Sequence, residues 1–96
     1  MAFWIEFVQL IFIFDTMKIK LLFFGITRDL LKTNEMSFEV LENSNVKNLK
    51  KELHTKHPSL ENINSYAIAV NENYATDDFI VHENDVVAII PPVSGG

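Results

Sequence analysis

Residues 86–96 read VVAIIPPVSGG, and the sequence stops there. The first five are apolar and mostly β-branched, with no helical period. Such a run suits a strand buried on both faces, and therefore one inside a sheet. Asn84-Asp85 supplies a turn in front of it. Pro91 and Pro92 have no N–H to give a ladder, so they end the strand and hold the chain extended. Gly95 and Gly96 carry no Cβ and can thread a channel that any side chain would block. They also leave the Gly96 carboxylate sterically open. A carboxylate is a poor acyl donor until it is activated, for example as an acyl-adenylate. It then accepts a sulfur, oxygen or nitrogen nucleophile. The stretch is thus either a tail whose reactive group is its own C-terminus, or a loose end rich in turn residues.

Upstream lies the clearest helix, VKNLKKELHTKH at 46–57. Ser44 or Asn45 caps it and Pro58 ends it. Val46, Leu49 and Leu53 form one apolar stripe. Lys47, Lys50, Lys51 and Lys56 lie elsewhere and read as a solvated face rather than a docking patch. Leu60 and Ile63 are expected to fill the core beneath the next loop. YAIAVN at 66–71 reads as a strand, Asn71-Glu72-Asn73 as a turn, and Tyr74 as the start of a short return strand.

Near the front, KIKLLFF at 18–24 alternates as a strand does. Ile19, Leu21 and Phe23 share one face; Lys18, Lys20, Leu22 and Phe24 share the other. Gly25 breaks the run, and TRDLLK at 27–32 suggests a short helix capped by Thr27. MSFEVLE at 36–42 alternates again, with Met36, Phe38 and Val40 together, and pairs with the first run across a longer connection. One amphipathic helix covers one face of one mixed sheet, a two-layer α+β domain.

At 96 residues the chain is one domain with a modest core. A net charge of −5 argues against a general nucleic-acid binder, which needs basic surface. The absence of cysteine excludes disulfides, thiolate metal sites and a cysteine nucleophile, and fits a cytoplasmic protein. His54, His57 and His82 show no ligand spacing with a third donor, so no metal site is expected. Asp77 and Asp78 suit a turn, and Ser94 has no base arranged near it. With no phosphate-cradling glycine loop either, no cofactor is expected to be bound.

MAFWIEFVQLIFIFDT at 1–16 differs from the rest. It is rich in aromatics and has no Lys or Arg. A transmembrane helix needs about 20 apolar residues, and Glu6 and Gln9 interrupt this shorter run. It also has neither the positive start nor the small-residue cleavage site of a secretory signal. Residues 1–16 are read as an extension upstream of the natural start, outside a domain at 17–96. The rivals are a membrane-surface or partner-binding segment, or an extra element on the fold.

KIKLLFFG, NVKNLKKEL, AIAVN and NDVVAIIPPVSGG together make residues 17–96 resemble the small, sulfur-carrying subunits of molybdopterin synthases, which have the ubiquitin-like β-grasp fold. The resemblance implies an ATP-dependent activating enzyme that adenylates Gly96, and a sulfur donor protein that converts it to a thiocarboxylate. The charged tail would enter a large catalytic subunit, within a heterotetramer, and pass sulfur to a cyclic pyranopterin phosphate. Gly95 would give clearance, and Pro91, Pro92, Val93 and Ser94 would guide the tail. Phe24 and Ile90 match the apolar positions with which the family docks, on the sheet face away from the helix. One departure is Asn84-Asp85-Val86, where the family often has Gly-Asp-Glu; Asn tolerates the left-handed turn that Gly supplies. A thiamine-type sulfur carrier, a protein modifier joined through Gly96, and a non-covalent β-grasp module remain the alternatives.

Overall fold

A computed structural model of the chain describes residues 16–62 and 65–92. Strand β1 spans Thr16–Phe23, helix α1 Ile26–Leu31, strand β2 Glu35–Leu41 and helix α2 Val46–Lys56. A 3-10 turn at Pro58–Asn62 leads to β3 at Ala67–Val70, β4 at Asn73–Tyr74 and β5 at Val86–Ile90. The sheet order is β2-β1-β5-β3-β4. The apolar run at the end of the sequence is therefore the middle strand, as its composition requires. It lies parallel to β1 and antiparallel to β3, while β1 and β2 pair antiparallel.

Alternation decides the two faces. Met17, Ile19, Leu21 and Phe23 of β1, Phe38 and Val40 of β2, Ile68 and Val70 of β3, and Val87 and Ile89 of β5 are all buried. They meet Val46, Leu49 and Leu53 of α2, which are fully buried, as is Leu60. Burying one such leucine is worth about 2–3 kcal/mol relative to leaving it exposed. The second core residue expected in that loop, Ile63, lies outside the described residues.

The first turn of α2 has all its backbone donors satisfied. The Asn48 N–H donates to Asn45 Oδ1 at 2.8 Å, so Asn45, not Ser44, is the cap. Ser44 instead donates to the Leu41 carbonyl at 2.6 Å. Val46 N–H donates to the Phe79 carbonyl at 2.9 Å, Lys47 N–H to the Asp77 carbonyl at 3.0 Å, and Leu49 N–H to Asn45 at 2.9 Å. The Val46, Lys47 and Asn48 donors are among those a helix start leaves orphaned, and the Leu49 bond is the first within the helix. The loop around Asp77 and Asp78 thus works as a clasp on α2.

Two turns keep the register. Asn71 and Glu72 have φ of 49° and 74°, a two-residue hairpin turn with both central residues left-handed. The Asn71 side chain then accepts from Val86 N–H at 3.0 Å and donates to Asp85 Oδ1 at 3.0 Å, tying the hairpin to the start of β5. Asn84 has φ 68°, the left-handed turn position expected of it.

Helix α1 departs from the sequence reading at its start. Gly25, with φ 56° and ψ −134°, stands at the cap position and offers no side chain. Thr27 lies inside the helix, fully buried. Its hydroxyl reaches back to Phe24 rather than forward into the helix, so it does not act as the cap.

Candidate functional site

The sheet face away from α2 carries the other half of the alternation. Cross-strand register aligns Glu35 with Leu22, Leu22 with Ala88, Ala88 with Ala69, and Ala69 with Tyr74. One row of this face is therefore apolar from β1 to β4, with a carboxylate at its β2 end. Leu22 and Ala88 are half-buried, and Tyr74 is 76% exposed. A second row pairs Ser37 with Lys20 and Lys20 with Val86. Lys20 Nζ lies 3.5 Å from Glu35 Oε2, an exposed pair of little energetic worth that puts charge at the rim.

Phe24 and Ile90 stand at one end of this face. Phe23 pairs with Ile89, so the next residues on the parallel strands stand level. Phe24 is 49% exposed and Ile90 half-buried. The alternation that puts Phe24 opposite Ile19, Leu21 and Phe23 continues one residue past the end of β1. Exposed apolar side chains grouped on one open sheet face mark a contact surface. Leu22, which alternation already sets on the face of Phe24, is joined there by Ala88 and Tyr74. The signal for them is register, which alternation within single strands does not supply.

Ile90 is followed directly by Pro91, half-buried, and Pro92, exposed. Pro91 Cγ would stand 3.1 Å from a Cβ on Gly25. The root of the tail thus leaves the sheet beside the turn that starts α1. Val93, Ser94, Gly95 and Gly96 lie outside the described residues.

Several polar groups beyond this face are engaged in structure. His54 Nε2 is 2.7 Å from Tyr66 Oη, linking α2 to the start of β3. Burial pushes the Tyr66 phenol up to about 12. Lys50 pairs with Asp77 at 3.0 Å and stands 5.7 Å from the Tyr66 ring centre, and Lys56 lies 4.8 Å over Phe38. Two of the four α2 lysines are therefore spent on packing, in line with a solvated helix face. Among the described residues no three His, Asp or Glu side chains gather as metal ligands. A groove of about 330 Å³ lined by Leu41, Ser44, Asn48, Lys51, Glu52 and Thr55 lies at the end of the sheet opposite Ile90. No described helix is long and apolar enough to cross a membrane.

A mixed five-stranded sheet on one main helix, with its central strand running into Pro-Pro beside an open apolar face, is a ubiquitin-like β-grasp domain with a tail. The profile of the ThiS family matches residues 21–96, and the chain belongs to that family. It is 39% identical over 83 residues to the molybdopterin synthase sulfur carrier subunit of Arabidopsis thaliana, covering 85% of this chain and 86% of that protein. A putative molybdopterin converting factor subunit 1 from Pyrococcus furiosus superposes with a TM-score of 0.73 at 28% identity, covering 80% of this chain and 99% of that one. A chain from the complex of subunits 1 and 2 of the molybdopterin-converting factor of Helicobacter pylori gives a TM-score of 0.61 at 26% identity, covering 83% and 100%.

Proposed function

We propose that this chain is the sulfur carrier subunit of a molybdopterin synthase, a sulfur-donating subunit with no active site of its own. The observation that carries the reading is its identity, over most of both chains, to a plant protein of that name. The thiamine-type carrier and the protein modifier, which share the fold, are the competing readings.

In this reading the Gly96 carboxylate attacks the α-phosphate of ATP on an activating enzyme and releases pyrophosphate. Sulfide-level sulfur supplied by a sulfur donor then adds to the acyl carbon and displaces AMP, leaving a thiocarboxylate. The tail, with Gly95 for clearance and Pro91 to Ser94 as its guide, enters the large catalytic subunit. Sulfur passes there to a cyclic pyranopterin phosphate, and two such transfers complete the dithiolene. Each large subunit of a central dimer receives one carrier, and the reaction belongs to the cytoplasm. Phe24 and Ile90 dock against apolar surface on the large subunit. In this reading the domain is residues 17–96 together with Thr16, which the sequence placed outside it but which pairs with Leu41 at the start of β1; residues 1–15 are an extension.

The test is reconstitution with the host's activating enzyme, sulfur donor and large subunit. Deleting Gly96, or adding one residue after it, is expected to abolish sulfur transfer while the domain stays folded. Retained transfer would overturn the reading.

A further inference from the structure

We infer that Thr27 is a positioning residue for docking: its hydroxyl fixes the backbone of Phe24 and so sets where that aromatic stands on the open face. The inference rests on the docking role proposed for Phe24.

Phe24 sits at a weak point of the backbone. It follows the last residue of β1 and precedes Gly25, whose φ of 56° and ψ of −134° are open to glycine and strained for other residues. Beyond the strand, the sheet no longer fixes its two dihedrals. One residue supplies the constraint instead. Thr27 Oγ1 donates to the Phe24 carbonyl at 2.6 Å and accepts from the Phe24 N–H at 3.1 Å. The Thr27 N–H donates to the same carbonyl at 3.2 Å. Both polar groups of the Phe24 backbone therefore close onto Thr27.

Burial makes the arrangement strict. Thr27 has no exposed surface, so water cannot replace its hydroxyl. Without the hydroxyl the Phe24 carbonyl keeps only the Thr27 N–H and the Phe24 N–H loses its partner; that N–H would recover a hydrogen bond only by turning outward, and the Phe24 ring would move with it. Ile26, also 49% exposed, follows in the same turn without any such side-chain bond. The restraint acts on the aromatic that faces the partner.

A purely structural Thr27 would affect folding and leave docking untouched. A double-mutant cycle separates the two roles. The full-length chain, Thr27→Val, Phe24→Ala and the double variant are each titrated calorimetrically with the host's purified large subunit. Thr27→Val is expected to weaken binding roughly fivefold when Phe24 is present and by less than about twofold in the Phe24→Ala background. Thr27→Ser, which keeps the hydroxyl, is expected to bind as the unaltered chain does. Thr27→Ala carries the same test should the valine variant not fold. Equal losses in both backgrounds, or none, would overturn the positioning role and leave docking by Phe24 standing. An unchanged affinity for Phe24→Ala would overturn the docking reading and this inference together.

Discussion

A Cβ on Gly25 would meet Pro91 Cγ at 3.1 Å. The turn that closes β1 and the root of the tail are thus in contact, although 65 positions of sequence separate Gly25 from the residue before Pro91. Gly25 also has φ 56°, where an L side chain is strained. Gly25→Ala is therefore expected to cost about 1–2 kcal/mol of stability. Urea denaturation would check it; an unchanged midpoint would mean that the turn tolerates a side chain.

Tyr66 makes stability depend on alkaline pH. Its phenol, half-buried, is pushed up to about 12 from an ordinary value near 10. The folded state holds the proton more tightly, so the contribution is complete below pH 10 and is lost as pH rises towards 12. Partial exposure limits it to about 1 kcal/mol. Chemical denaturation from pH 9 to 12 should show a fall in stability that Tyr66→Phe largely removes.

Asn45 is the side-chain cap of the main helix. Asn45→Ala is expected to cost about 1 kcal/mol, read as a lower denaturation midpoint with the fold retained. Ser44→Ala should also destabilise, for a different reason: it removes the hydroxyl bond to the Leu41 carbonyl, which keeps only the Ser44 N–H, and leaves the helix donors untouched.

Phe24→Glu puts an unpaired charge into an apolar contact. Binding to the large subunit is expected to weaken at least about tenfold, with a melting temperature close to that of the unaltered chain because Phe24 is half exposed. Equal affinity in a titration would remove Phe24 from the interface.

Residues 18–24 announced their strand and its faces because alternation is local; residues 86–90, apolar throughout, announced a central strand but not its faces, of which only the one carrying Val87 and Ile89 is fully buried. Val46, Leu49 and Leu53 announced the helix face in the same way, and the adjacent left-handed residues Asn71 and Glu72 form the hairpin that their polar sequence suggested. Thr27 was misread as a cap because a Thr before an apolar helix has that statistical meaning. What decides its role is the backbone of Phe24, which Gly25 swings within reach. The row from Leu22 through Ala88 and Ala69 to Tyr74 was equally hidden, since it depends on which strands become neighbours and in what register. Phe24 and Ile90 were singled out by family resemblance; the fold pairs the residues just before them, Phe23 and Ile89, at one end of the sheet.

Residues 1–15 offer a separate test of where the domain begins. Strand β1 starts at Thr16, paired with Leu41. A chain beginning at Thr16 is expected to keep its melting temperature and its sulfur transfer. A clear drop in melting temperature would make the preceding segment part of the folded unit.

The central claim is that Gly96 carries sulfur. The most direct measurement is an intact mass spectrum of the chain after incubation with its host's activating enzyme, ATP and a sulfur source. The account predicts a gain equal to replacing one oxygen by sulfur, localised to Gly96 by fragmentation. No gain, with an activating enzyme shown to be active on another carrier, would contradict it and leave a β-grasp binding module with an inert tail.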